Sequence, residues 1–196
     1  MKDIKIVEEA KQPMAMHPGK FALWLFIVSV IMIFGALTSA YIVNRGDGSW
    51  LYFELPSMFW VSTGIIVLSS GTMHWAYRAV KRDEFESAKV SIVLTLVLGI
   101  AFLAAQWLAF LQLIEERIHF VPATSDGNSG SFVYVLSGLH GAHVISAIIV
   151  LAVALAAVFK QKVHSKNMTR MELCTTYWHF LGGLWLYLFV FLLLNR

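Results

Sequence analysis

Hydrophobic residues fall into five long runs along the chain, and short polar segments separate them. None of the five runs contains Asp, Glu, Lys or Arg; they cover residues 21–43, 59–77, 90–114, 132–159 and 174–194. About 20 apolar residues are enough for a helix to cross the hydrocarbon core of a bilayer. Because lipid offers no hydrogen bonds to the backbone, each run is predicted to be an α-helix. The sequence therefore predicts an all-α integral membrane bundle of five transmembrane helices.

The basic residues indicate how these runs are oriented. Of the fifteen Lys and Arg residues, twelve lie in residues 1–20 and in the links after the second and fourth runs. Cytoplasmic loops carry the excess of Lys and Arg. This alternation predicts a cytoplasmic N-terminal tail over residues 1–20, a transmembrane domain over 21–196 and a periplasmic C-terminus. The first run is longer than the apolar region of a cleavable signal peptide, so it is expected to remain in the membrane.

Composition agrees with a membrane protein and limits the chemistry that the chain could perform. Of its 196 residues, 58% are hydrophobic and 14% are charged, and the mean hydropathy is +0.69. The single cysteine, Cys174, excludes an internal disulfide and a cysteine-cluster metal site. All twelve carboxylates lie outside the five runs, whereas ion-coupled transporters usually bury an ionisable group in the membrane. A small-solute transporter therefore remains an alternative without a supporting motif.

Aromatic residues near the ends of the runs are predicted to lie at the two membrane surfaces. Tyr and Trp side chains are enriched there because their rings bridge head groups and hydrocarbon. The residues expected to act as such anchors are Trp24, Trp50, Trp60, Trp75, Tyr77 and Trp178.

Two histidines lie three residues apart in the fourth run, and small residues surround them. His140 and His143 project from one side of the predicted helix, among Gly, Ala and Ser residues. Small residues allow two membrane helices to approach closely, and a polar side chain can then form a hydrogen bond across the contact. We expect both imidazoles to form such interhelical bonds.

Two other histidines have predicted depths that would let them meet. His74 and His179 both lie near the cytoplasmic ends of their runs. A bis-histidine haem site of a membrane cytochrome is one interpretation of this pair. For His74, which precedes Arg78 by four residues, the alternatives are an interfacial side chain or a contact to an anionic lipid phosphate.

Longer sequence motifs resemble one protein family. Residues 137–144 are SGLHGAHV, and residues 172–180 are ELCTTYWHF, followed by Trp185. These motifs, in this order, resemble subunit III of the haem-copper respiratory oxidases, which include cytochrome c oxidase. The first run, from FALWLF to LTSAY and Arg45, is similar to a core helix of that family. The resemblance extends from about residue 21 to residue 194.

The resemblance implies a non-catalytic subunit in a bacterial inner membrane. Haem and copper would belong to the partner, catalytic subunit I, which reduces dioxygen to water and pumps protons. This chain would stabilise that subunit, keep proton uptake efficient and bind phospholipid, without a catalytic, metal or cofactor site of its own. Cytochrome c is the expected electron donor, and a quinol oxidase or nitric oxide reductase system is the alternative. The residues to which the resemblance gives a structural or lipid-binding role are His140, His143, Glu172, Trp178, His179, His74 and Arg78.

The chain departs from the family pattern in three respects. Larger members have seven helices, so the first pair is expected to be absent here or supplied by another subunit. Many members carry a membrane-embedded Glu where this chain has Val30, and an Asp where it has Gly182. Roles that depend on those two carboxylates therefore do not transfer to this chain.

Overall fold

Five α-helices account for the five charge-free runs. The computed structural model describes residues 17–46, 55–115, 129–160 and 168–195, so most of the predicted tail and three links lie outside the described residues. The helices are α1 Pro18–Arg45, α2 Met58–Lys81, α3 Phe85–Glu115, α4 Ser129–Phe159 and α5 Thr169–Asn195. Each run lies within one helix, which confirms the all-α prediction.

The helices are longer than the runs because polar residues continue them at the ends. In the first turns of α3, Lys89 Nζ lies 2.7 Å from Glu86 Oε1, three residues earlier. An ion pair between residues three apart stabilises a helical turn that lies outside the hydrocarbon core. The sharp connection from α2 to α3 contains Asp83, whose φ of 56° is in the left-handed region. Asp adopts that conformation more readily than most other residues.

Four of the described helices are long and apolar enough to cross a membrane: α1, α3, α4 and α5. The protein is therefore a multi-pass membrane protein. The helix α2 has 24 residues but is less apolar, since it carries five Ser and Thr residues between positions 62 and 72. Four of these hydroxyls donate to carbonyl oxygens three or four residues earlier in α2. A fifth span at α2 stays a prediction.

The helices α2, α3, α4 and α5 form a ring in which each helix packs against two neighbours. The order around this four-helix ring is α2, α3, α4, α5 and back to α2. The helix α1 lies outside the ring and packs on α4 and α5. Within the described ranges, no Cα atom of α1 lies within 8 Å of one in α2. A gap between α1 and α2 follows from this arrangement.

Contacts at both ends show that α1 and α5 run parallel. Near the starts of the two helices, Lys20 Nζ lies 2.6 Å from Glu172 Oε2. Near their other ends, the Tyr41 hydroxyl donates to the Asn195 carbonyl oxygen at 3.1 Å, and Arg45 Nη1 donates to Asn195 Oδ1 at 3.0 Å. Since the pairs join first turn to first turn and last turn to last turn, the direction of the two helices is the same.

Two tryptophans of α5 fill the centre of the four-helix ring. Trp185 is fully buried, stacks on Phe59 of α2 at 5.8 Å and meets Phe102 of α3 edge-on at 5.3 Å. Trp178 is 2% exposed, and its Nε1 donates to Ser69 Oγ of α2 at 3.2 Å. The prediction that Trp178 is a surface anchor is therefore wrong. By contrast, Trp24, Trp60 and Trp75 are exposed, as anchors must be, and Trp50 lies outside the described residues.

The Trp178 ring reaches across the ring of helices to Gly99 of α3. A Cβ atom added at Gly99 would lie only 2.7 Å from Trp178 Cη2. The indole has little freedom to move, since it is buried and its Nε1 is bonded to Ser69. Gly99 therefore provides the space that Trp178 occupies.

Replacing Gly99 by Ala should destabilise the bundle. Overpacking of a well-packed interior typically costs about 1 to 3 kcal/mol, so we expect Gly99→Ala to lower the thermal midpoint of the detergent-purified protein, followed by far-UV circular dichroism. Gly71→Ala is the matched control, since an added Cβ at Gly71 meets nothing within 4 Å. Equal midpoints for the two variants would contradict the proposed packing.

Candidate functional site

A cavity of about 470 Å³ opens where the starts of α1 and α5 meet the end of α2. Its lining includes Lys20 and Trp24 from α1, His74 and Tyr77 from α2, and Glu172 and His179 from α5. Three of the predicted site residues, His74, Glu172 and His179, thus meet at one place. We refer to this space as the α1–α2–α5 cavity.

The two histidines of this cavity lie against each other. The ring centroids of His74 and His179 are 6.4 Å apart, and the ring planes are tilted by 52°. This contact confirms the prediction, made from depth alone, that these two histidines meet. It arises because α2 ends at the level at which α5 begins.

The ion pair between Lys20 and Glu172 closes one side of the cavity. Both side chains are partly exposed, at 43% and 35%, so the pair contributes modestly to stability. Glu172 also lies in the first turn of α5, where a carboxylate interacts favourably with the helix dipole. From the sequence, Lys20 was only one of the basic residues that indicate the orientation of the helices. Its pairing with Glu172 could be found only after the starts of α1 and α5 were known to be adjacent.

The rest of the cavity wall is mainly apolar. Thr175 contributes to the lining as well, but its Oγ1 is buried and has no hydrogen-bond partner in the described part of the chain. Leu23, Leu173 and the Trp24 ring add apolar surface. The cavity therefore combines polar donors with an apolar wall. Arg78 is exposed one turn after His74, but it is not among the residues that line the cavity.

The two histidines of α4 lie in different environments. His140 is fully buried between Phe102 of α3 and Trp185 of α5, at centroid distances of 5.8 Å and 5.2 Å. His143 faces α1 instead, with its ring 6.1 Å from Phe26 and 5.8 Å from Phe34. The three-residue spacing thus places the pair at two separate helix contacts.

The expected interhelical hydrogen bonds of these histidines were predicted wrongly. His143 Nδ1 lies 2.8 Å from the Leu139 carbonyl oxygen of its own helix, to which it donates. Neither ring nitrogen of His140 has a hydrogen-bond partner among the described residues. The interhelical bond in this region comes from Ser146 Oγ and the Tyr177 hydroxyl, 2.7 Å apart. Sequence reasoning missed Tyr177, whose ring also meets Phe26 edge-on at 5.6 Å.

The two positions that depart from the family pattern lie at helix contacts. Val30 is 1% exposed on α1, one turn after Phe26 and one turn before Phe34. A Cβ atom added at Gly182 of α5 would lie 3.1 Å from Ser70 Oγ of α2. Gly182 thus allows α2 and α5 to approach closely, so a larger side chain there would require the Ser70 side chain to move.

Among the described residues, no group of three or more His, Cys, Asp and Glu side chains could hold a metal ion. His74 and His179 offer two imidazoles, and two are enough for the axial ligands of a haem. The absence of a cofactor in this chain therefore stays a prediction, as do the roles of the seven site residues.

Comparison with known proteins identifies the family of this bundle. Residues 52–195 match the family model described as Cytochrome c oxidase subunit III. The chain belongs to the cytochrome c oxidase subunit III family. The matched range contains α2, α3, α4 and α5, so the family match covers the whole four-helix ring.

Individual relatives carry names from two kinds of oxidase. The chain is 33% identical over 141 residues to the Cytochrome c oxidase subunit 3 of Rhipicephalus sanguineus, covering 71% of this chain and 51% of that protein. It is 28% identical over 209 residues to the Probable cytochrome c oxidase subunit 3 of Rickettsia bellii, covering 95% and 72%. It is 24% identical over 182 residues to the Probable quinol oxidase subunit 3 of Staphylococcus saprophyticus, covering 88% of each.

The relatives differ in length from this member of the subunit III family. The chain spans about half the length of the Rhipicephalus protein and of the Cyprinus carpio Cytochrome c oxidase subunit 3, of which it covers 49%. The 95% coverage of the chain by the Rickettsia alignment means that most of α1 is also matched. Similarity to the family therefore includes the helix that lies outside the ring.

Proposed function

We propose that this chain is the non-catalytic subunit III of a haem-copper terminal oxidase. It would stabilise the catalytic subunit I, which contains haem and copper, and support proton uptake in aerobic respiration. The family match over residues 52–195 carries this proposal. Cytochrome c is the proposed electron donor. A quinol oxidase is the second candidate because a relative of similar length is named Probable quinol oxidase subunit 3.

The use of polar groups inside the bundle supports a scaffolding role. Gln106 Nε2 donates to Ser62 Oγ at 2.9 Å, and Trp185 Nε1 donates to Thr63 Oγ1 at 3.0 Å. The hydroxyls of Thr72 and Thr95 lie 2.8 Å apart between α2 and α3. These groups join neighbouring helices, and a rigid bundle of this kind can present a defined surface to a partner subunit.

We further propose that α2 spans the membrane, which gives five spans with a cytoplasmic N-terminus in a bacterial inner membrane. The helix α2 runs beside α5, which is itself apolar enough to span. It contacts α5 from Trp60 on Phe189, at 4.8 Å, to His74 on His179, at 6.4 Å. Because four of its five Ser and Thr hydroxyls are bonded within the bundle, the polarity of its sequence overstates the polarity that α2 shows to lipid.

The proposed orientation agrees with the placement of the basic residues. Lys20 meets the start of α5 through Glu172, and Lys89 Nζ lies 5.4 Å from the Phe159 ring centroid, at the end of α4. Lys20 and Lys89, from two of the three basic segments, thus lie at the end of the bundle where the third segment joins α4 to α5. Arg45 lies at the other end, beside Asn195.

The α1–α2–α5 cavity is proposed to bind the head group of a phospholipid. His74 and His179 supply potential donors to a phosphate, and the cavity lies at the end rich in Lys and Arg. Its volume suits a head group, and the gap between α1 and α2 offers a place for the acyl chains. Arg78, exposed at this end, would contact the lipid from outside the cavity wall.

Copurification tests the subunit proposal. The affinity-tagged chain, solubilised gently, should bring down a larger polypeptide with a reduced-minus-oxidised haem spectrum. We expect His143→Leu and Trp178→Ala to weaken this association while the haem spectrum of the retained complex stays the same.

The complex should also oxidise reduced cytochrome c rather than quinol.

Recovery of the tagged chain by itself would contradict the subunit proposal. Oxidation of quinol but not of cytochrome c would favour the second candidate. If the isolated chain instead shows a stoichiometric haem band that disappears in His179→Ala, His179 is required for haem binding, and the proposal of a subunit without its own haem is wrong.

Lipid analysis of the same complex tests the cavity. We expect the double variant His74→Leu, His179→Leu to retain fewer phospholipid molecules per complex in native mass spectrometry, since two donors to the phosphate are lost. His17→Asn is the control: His17 lies outside the cavity lining, and Asn keeps an acceptor for the start of α1. An unchanged phospholipid count in the double variant would exclude this binding site.

Cysteine labelling tests the five spans and their direction. In a Cys174→Ala background, Glu84→Cys marks the connection between α2 and α3, and Gly46→Cys marks the end of α1; both positions are exposed. A membrane-impermeant maleimide added to intact spheroplasts should label position 46 only, and position 84 only after permeabilisation. Labelling of both positions from outside would mean that α2 does not span, and the reverse pattern would invert the orientation.

A further inference from the structure

Three buried polar residues on α3 and α4 have atoms without hydrogen-bond partners in the described part of the chain. These atoms are both ring nitrogens of His140, Ser137 Oγ and Gln106 Oε1. The three residues are 0%, 2% and 4% exposed. A buried polar atom that lacks a hydrogen-bond partner destabilises the fold, because it has lost its bonds to water without replacement. Three such residues need a common explanation if they lie together.

The register of α3 and α4 places the three residues at similar levels along the bundle. Phe102 of α3 meets His140 of α4 at 5.8 Å, and the Tyr134 hydroxyl lies 3.4 Å from the Phe110 carbonyl oxygen. The two contacts show that α3 and α4 are antiparallel, because a higher residue number on α3 is paired with a lower one on α4. Gln106, one turn after Phe102, therefore lies at the level of Ser137, almost one turn before His140.

The groups around His140 do not satisfy its ring nitrogens. Its ring lies between the rings of Phe102 and Trp185, and the Trp185 N–H already donates to Thr63. Ser137, Gly138 and Gly141, which are close to His140 in sequence, are small. A Cβ atom added at Gly141 would lie 3.9 Å from Leu103, at ordinary van der Waals distance, so the glycine brings no polar partner to this level.

We propose that internal water occupies this contact between α3 and α4 and bridges Gln106, Ser137 and His140. A neutral imidazole offers one donor and one acceptor, a serine hydroxyl offers both, and an amide oxygen accepts. Water complements all of these groups, and buried water typically forms about three hydrogen bonds. A metal ion fits poorly, because no further His, Cys, Asp or Glu among the described residues completes a ligand set. This proposal does not depend on the proposed function.

Solid-state NMR on the full chain in lipid bilayers, labelled with ¹⁵N-histidine, tests this site with water itself as the probe. The signals that disappear in His140→Phe identify the His140 ring. We expect magnetisation to transfer from water to a His140 ring nitrogen, and Ser137→Ala to shift the His140 signals and weaken this transfer.

Ser91→Ala is the matched control for this experiment. Ser91 is also a fully buried serine, but its hydroxyl already donates to carbonyl oxygens of α3, those of Ser87 and Ala88. The Ser91→Ala variant should therefore leave the His140 signals unchanged. Absence of water transfer to His140, a direct hydrogen bond from His140 to a protein group, or equal effects of the two serine variants would each overturn the proposal.

Discussion

The packing of the Trp178 and Trp185 side chains determines how the other helices can assemble. Lipid is as apolar as these rings, so membrane helices associate through close packing and hydrogen bonds rather than through burial of apolar area. Trp178 fills the space over Gly99 and donates to Ser69, while Trp185 meets Phe102 and donates to Thr63. Through these two side chains, α5 reaches α3, which lies opposite it in the four-helix ring. Shape and hydrogen bonding thus fix the same arrangement.

The cavity follows from the position of α1 outside this ring. The Lys20–Glu172 pair and the Arg45–Asn195 bond hold α1 to α5 at its two ends, while His143 meets α1 near the middle. None of these contacts joins α1 to α2. The space between α1 and α2 therefore stays open, and α5 contributes both Glu172 and His179 to its wall. The same packing that builds the scaffold creates the proposed lipid site.

What the sequence predicted correctly depended on constraints that act along the membrane normal. Charge-free runs located the helices because, in lipid, backbone N–H and C=O groups must form hydrogen bonds within the helix. Depth brought His74 and His179 together because antiparallel helices place the end of one beside the start of another. Rotation about a helix axis was not predictable in this way. The helix α5 is apolar on most sides, so its sequence did not show which side faces the interior. Trp178 of α5 is buried in the interior, whereas Trp75 of α2 is exposed.

His140 and His143 show the same difficulty at closer range. Residues three apart are offset by about 60° around a helix, which is close enough to suggest a shared face. The helix α4 packs against α1, α3 and α5, however, so this offset is sufficient to carry a side chain from one contact into the next. His140 enters the four-helix ring and His143 meets α1. A motif continuous in sequence thus contributes to two contacts, and one of them joins α1 to the ring.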